Sequence, residues 1–110
     1  MSGNESLPPP CSPRRVQRRR TRGWRMPKGS VYVGRPSRWG NPHNVGMCGV
    51  CGVEHTQEEA VREFEAELLM DMNYQARDAV HRELAGKDLA CWCRLDQPCH
   101  ADVLLRVANA

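Results

Sequence analysis

No apolar run in these 110 residues approaches the ~18 needed to cross a bilayer, which excludes a membrane-spanning helix. The opening MSGNESLPPP lacks the charged-then-apolar layout of a secretory signal, so a non-secreted, cytoplasmic protein is expected, with no membrane partner. Aromatic residues are scarce: one Phe, two Tyr and three Trp. A single domain of this size buries only about 60–65% of its unfolded surface, so the core is thin and a bound metal or partner has room to matter. No G-x-G-x-x-G or Walker loop occurs, so no nucleotide fingerprint is present. Acids are nearly missing from the front of the chain. Residues 1–40 carry ten Lys/Arg and one acid, whereas residues 41–110 carry six Lys/Arg and twelve acids, a net +9 joined to −6. Cysteine, by contrast, is plentiful. Six thiols in a chain that is not exported should be reduced, which favours metal or catalytic use over disulfides.

Residues 1–13 read as a disordered tail, because four prolines remove backbone donors and fix the backbone, and nothing there could nucleate a core; Cys11 lies there as an unengaged thiol. Residues 14–110 read as one domain. The block Arg14–Arg25 has no apolar stripe and suits a short edge strand or an extended arm. Ser30–Val33 reads as a strand, and Gly34 onwards as a long loop reaching His55. Thr56-Gln57-Glu58-Glu59 is a capping box that starts a helix with Val61, Phe64, Leu68 and Met72 on its apolar face. A second helix is expected from about Tyr74 to Ala85, burying Ala76, Val80 and Leu84 and stopped by Gly86. Lys87–Cys93 has little polarity after Asp88 and reads as a central, buried strand. A tight turn then leads into a final helix opening at Cys99 or His100, with Val103, Leu104 and Val107 facing inward. The expected fold is α/β: one compact domain, a small sheet and about three helices.

Cys91-x-Cys93-x5-Cys99-His100 is the strongest chemical signal. Strand alternation puts Cys91 and Cys93 on one face, and the turn returns Cys99 and His100 to the same strand end, where open α/β sheets hold ligands. Three readings fit: a Cys/His zinc site, although C-x-C is tighter than the usual C-x2–4-C; a reactive Cys99 with His100 as acid/base; or buried thiols acting as small hydrophobes. Cys48-x2-Cys51, followed by Gly52, has the spacing of a zinc knuckle, with His43, His55 or members of the 91–100 cluster as completing ligands. It forms a second or shared site, or else two idle thiols in a loop.

Arg35-Pro36-Ser37-Arg38-Trp39-Gly40-Asn41-Pro42 offers two guanidiniums for phosphate, an indole for stacking and an amide for hydrogen bonding. It equally suits a structural corner in which Trp39 plugs the core and Asn41 makes the turn. Arg14, Arg15, Arg18, Arg19, Arg20, Arg22 and Arg25, with Trp24 among them, suit a nucleic-acid surface, a solvated charge run or an internal partner for the acidic helix.

With GRPSRWGNP, GKDLACWC and CHADVLL in this order, the chain resembles the domain of unknown function 4326 family, small uncharacterised proteins of bacteria and their phages. The resemblance runs from about Arg14 to Ala108 and falls on Val31, Gly34, Arg35, Trp39, Gly40, Asn41, Pro42, Gly86, Leu89, Cys91, Trp92, Cys93, Cys99 and His100. It implies that the basic block belongs to the folded domain, while Cys48-x2-Cys51 departs from the family pattern. It carries no activity with it, but polar and thiol positions in loops point to a site. The expectation is a phage-type accessory protein of the bacterial cytoplasm that binds a nucleotide or nucleic acid. Arg35, Arg38, Trp39 and Asn41 would touch the ligand, with zinc on Cys91, Cys93, Cys99 and His100. The alternatives are an enzyme on nucleotides or modified bases using Cys99 and His100, and a protein-interaction module whose cysteines are core.

Overall fold

The computed structural model describes residues 13–110 except Asn44, Cys48 and Cys51. The tail reading, Cys11 and the Cys48-x2-Cys51 pair therefore lie outside the described residues. The chain makes a three-stranded parallel sheet covered by three helices, with a separate two-stranded hairpin. In chain order, β1 is Arg15–Gln17, β2 Val31–Tyr32, β3 Gly46–Met47, β4 Glu54–His55 and β5 Leu89–Cys91. The helices are α1 Gln57–Leu68, α2 Tyr74–Leu84 and α3 His100–Ala108, with a 3₁₀ turn at Asp71–Asn73.

β5 lies between β1 and β2 and runs parallel to both, with Val16 and Tyr32 each opposite Ala90. Being flanked on both edges, it is buried along its whole length, which is why the chain is apolar from Leu89 to Cys91. The ladder extends beyond the strand ends: Arg18 N–H donates to Cys91 O at 2.8 Å and Val33 N–H to Ala90 O at 2.9 Å. The front of the basic block is thus an edge strand of the sheet. β1 also crosses the long sequence gap to β5, a pairing that binds the cationic and acidic halves into one unit.

α1 begins as expected. Thr56 Oγ accepts from Glu59 N–H at 3.1 Å, and the Glu59 carboxylate accepts from Thr56 N–H at 2.8 Å. Hydrogen bonding from the Thr56 backbone N–H, and then from its side chain, holds the Glu59 carboxyl below its ordinary pKa. The helix ends earlier than its apolar spacing suggests. It stops at Leu68, and Met72 is exposed. Asn73 Nδ2 donates to Glu67 O and Arg77 to Leu68 O and Met70 O, so side chains from the next segment satisfy the carbonyls that another helical turn would have used. In α2 the inward face is Ala79, Val80 and Leu84; Ala76 is exposed, one residue off the expected stripe. The core is Val33, Leu84, Leu89, Val103 and Leu104, joined by Cys91 and Cys99. The long loop expected from Gly34 to His55 contains β3 and β4, antiparallel with Gly46 opposite His55 and Met47 opposite Glu54. Two-residue strands carry no alternation to read. Among the described residues no helix is long and apolar enough to cross a membrane.

Candidate metal centre

Parallel pairing sends the loops after β2 and β5 out of the same sheet edge. Between them is a cleft of about 260 Å³ whose lining includes Tyr32, Arg35, Cys91, Trp92, Cys93 and His100. The two loops therefore share one mouth at the carboxyl ends of the strands.

Three sulfurs meet there. Cys91 ends β5, Cys93 follows two residues later, and Cys99 caps the start of α3. Their Sγ atoms all lie within 4.8 Å of one another, and Cys91 and Cys93 are 3.7 Å apart. Tetrahedral zinc with bonds of about 2.3 Å needs sulfurs about 3.8 Å apart; Cys91 and Cys93 have that spacing, and the three sulfurs together could hold a metal ion. Cys91 and Cys99 are buried and Cys93 half-buried.

His100 adjoins the triad. Its Nε2 lies 2.7 Å from Val33 O; a carbonyl can only accept, so Nε2 carries the hydrogen and Nδ1 keeps its lone pair. Nδ1 is 3.7 Å from Cys99 Sγ. Phe64 sets the ring from the side, edge-on at 5.4 Å. An imidazole held through a backbone carbonyl with its other nitrogen unprotonated is in the tautomer that a metal takes.

The thiols share protons unequally. Hydrogen bonds from Cys93, then Cys99, stabilise the Cys91 thiolate against its burial and pull its pKa far down. As donors, Cys93 and Cys99 are pushed up: Cys93 by its bond to Cys91, and Cys99 by bonds to Cys91 and Cys93 and by burial.

Arg15 builds the second half of the site. Its Nη2 lies 2.8–3.1 Å from the carbonyl oxygens of Arg94, Leu95 and Gln97, and its Nη1 is 3.4 Å from the Asp102 carboxylate. Asp102 in turn accepts from Cys99 N–H at 3.3 Å. One nearly buried guanidinium thus shapes the turn that returns Cys99 to Cys91.

The other expected site residues divide. Arg35 lines the cleft, but its Nε donates to Asn41 O at 2.7 Å and one Nη to His43 O at 3.0 Å. Asn41 is buried, donating to Ala60 O at 3.0 Å and accepting from His43 N–H at 2.9 Å. Arg38 and Trp39 lie outside the cleft. They border a separate hollow with Phe64, Leu68 and Val80, where Arg38 stacks on Trp39 and pairs with Glu83 at 3.1 Å. In the basic block, Arg18 stacks on both Tyr32 and Trp92 at 4.7 Å, and Arg20 on Trp92 at 4.5 Å. Arg19 and Arg22 are exposed, and Trp24 is half-buried beside the turn made by its N–H to Thr21 O.

Tyr32 and Trp92 were not among the expected ligand-contacting residues. Trp92 had a signal: an aromatic residue just past a buried strand, between two cysteines. Tyr32 arches back so that its hydroxyl donates to Arg35 O, passing so close to Gly34 that a Cβ there would lie 2.5 Å from the Tyr32 oxygen. Any larger residue at position 34 would have to push the Tyr32 ring aside.

The model of a family described as Domain of unknown function (DUF4326) matches residues 16–110. No match was found among curated proteins or solved structures.

Proposed function

The chain belongs to the DUF4326 family, and we propose that it is a zinc-binding α/β domain whose cleft receives a phosphate-bearing ligand, a nucleotide or a nucleic-acid end. Cys91, Cys93 and Cys99 supply thiolates and His100 Nδ1 the fourth donor. The observation that carries the reading is the mutual approach of three sulfurs within 4.8 Å at the floor of an open cleft. Soft sulfur and imidazole donors favour zinc over the oxygen-seeking divalent cations. Three thiolates around Zn²⁺ leave one negative charge, which the start of α3 and nearby Arg15 offset. The upward push on Cys99 counts against a nucleophile role, because an activated catalytic thiol needs the opposite.

The ligand class rests on the rim. Arg18 and Arg20 share the face area of Trp92, and neither forms an ion pair with a carboxylate among the described residues. Two neighbouring cations on one aromatic ring, beside exposed Arg19 and Arg22, favour an external anion attached to something flat.

Full-length protein purified under reducing conditions should hold zinc, and Cys91→Ser/Cys93→Ser should hold one ion fewer per chain. Equal zinc in the two would overturn the centre. Single-stranded oligonucleotides and mononucleotides should bind with an affinity that falls as salt rises, and Arg18→Ala/Arg20→Ala should weaken that binding. Salt-independent binding, or none, would remove the phosphate ligand while leaving the metal in place.

A further inference from the structure

The three sulfurs are unequally open to the cleft they line. Cys99 is 1% exposed and Cys91 6% exposed, whereas Cys93 is half-buried. On a metal each sulfur is a thiolate, because coordination displaces the proton outright. Thiolate character then no longer distinguishes the three, and access decides which one meets a small reagent entering the cleft. That sulfur is Cys93.

A bonding partner lies at hand. Cys91 Sγ is 3.7 Å from Cys93 Sγ. Two residues of straight strand advance about 6.6 Å, so side chains two apart do not ordinarily meet. These sulfurs converge because β5 ends at Cys91 and the chain bends at Trp92 and Cys93. A disulfide of about 2.05 Å needs them to close by only about 1.7 Å more. Cys99 is held from the other side: its N–H donates to Asp102 Oδ2 at 3.3 Å, and Asp102 faces Arg15 at 3.4 Å.

We propose that Cys93 is an oxidation site for hydroperoxides, and that the disulfide it then forms with Cys91 empties the metal centre. The release step rests on the zinc reading of the triad given above. With hydrogen peroxide, the Cys93 thiolate attacks one peroxide oxygen; an S–O bond forms, the O–O bond breaks and hydroxide leaves. The Cys91 thiolate then attacks the sulfur of that sulfenic acid, making the S–S bond while the S–O bond breaks and a second hydroxide leaves. The two sulfurs give up two electrons, the peroxide takes them, and two protons from solvent turn both hydroxides into water. Two of the four donors are thereby lost. Cys99 and His100 alone do not make a tetrahedral set, so the ion is released. A thiol reductant reopens the bond and the site reloads.

The test uses the full chain with Cys11→Ser, Cys48→Ser and Cys51→Ser, so that the triad holds its only thiols. Zinc is counted in the reduced sample, and hydrogen peroxide is then added with a zinc indicator present. One ion per chain should be released as two thiols are lost, and dithiothreitol with zinc should restore both. The bond should lie within tryptic peptide 88–94, which loses two hydrogens; a link from it to peptide 95–106 would mean Cys99 and overturn the pairing. Cys93→Ser leaves only buried sulfurs and should slow thiol loss about tenfold. An unchanged rate overturns Cys93 as the site. In Cys91→Ser, dimedone should trap the sulfenic acid on Cys93, and a label on Cys99 alone overturns the order of attack. Zinc and thiols that persist at a dose oxidising free glutathione overturn the proposal and leave the metal centre standing. A reduced protein without zinc overturns the metal reading instead. Mapping of that same sample then decides the oxidation site by itself: a bond within 88–94 upholds it and intact thiols overturn it.

Discussion

The loops that leave β2 and β5 border the same cleft, and both are rich in side chains of the kind that bind ligands, yet they use them in opposite ways. In the loop after β2, Arg35 and Asn41 direct their hydrogen bonds at the loop's own carbonyls, at His43 N–H and at Ala60 O on α1. In the loop after β5, the functional side chains mainly meet one another: three sulfurs share protons, and His100 turns an unprotonated nitrogen towards Cys99. The shaping of that second loop is delegated to Arg15, from the far edge of the sheet. A polar residue in a loop therefore marks a ligand site only when its bonding capacity is left over after the backbone has been satisfied.

The largest effect that should separate the loops is metal dependence. Zinc at a thousandfold excess over its Kd should stabilise the fold by about 4 kcal/mol, and Cys91→Ser/Cys93→Ser should lose that gain in chemical denaturation with and without chelator. Binding should also strengthen with pH. Cys93 and Cys99 are pushed up and hold their protons near neutrality, whereas Cys91 is already a thiolate, so loading the triad releases about two protons. Affinity measured in a background lacking Cys48 and Cys51 should rise about a hundredfold per pH unit around pH 7. A flat profile would mean that the thiols are not the ligands.

Asn41→Ala should cost about 2–4 kcal/mol by the same unfolding measurement, in metal-loaded and chelated protein alike. It strands the buried His43 N–H and takes a second donor from Ala60 O, a carbonyl within α1. Zinc content at the triad should be unchanged, because no bond of Asn41 reaches a sulfur. If the loss of stability disappears on chelation, the loop after β2 belongs to the metal site and the division drawn above fails.

Much of this arrangement was legible in the sequence. Thr56–Glu59 announced α1, the apolar stretch after Asp88 announced the central strand, and Cys91, Cys93, Cys99 and His100 were placed at its end by strand alternation and a short turn. What could not be read was how polar groups pair at long range. Nothing local distinguishes Arg15, buried against three carbonyls of residues 94–97, from exposed Arg19 four positions on. The stop at Leu68 was hidden for the same reason: Asn73 and Arg77 supply the bonds from the next segment, against an apolar spacing that continues to Met72. The hairpin was invisible because two-residue strands have no period.

Arg38 gives the smallest expected effect and the sharpest test of that lesson. By sequence it stands beside Arg35 as a phosphate ligand; in the fold it lies on Trp39 with its guanidinium shared by both Glu83 oxygens, in the open. Exposed pairs of this kind contribute about 0–1 kcal/mol, so Arg38→Ala should shift stability by less than about 1 kcal/mol. Zinc content and oligonucleotide affinity should match the wild type, while Arg18→Ala/Arg20→Ala weakens binding. Because the oligonucleotide is long enough to reach past the cleft, the decisive probe is the mononucleotide. If Arg38→Ala weakens mononucleotide binding as much as Arg18→Ala/Arg20→Ala does, the ligand lies across the loop after β2. The partnered guanidinium would then have to exchange Glu83 for phosphate, and leftover bonding capacity would no longer separate the two loops.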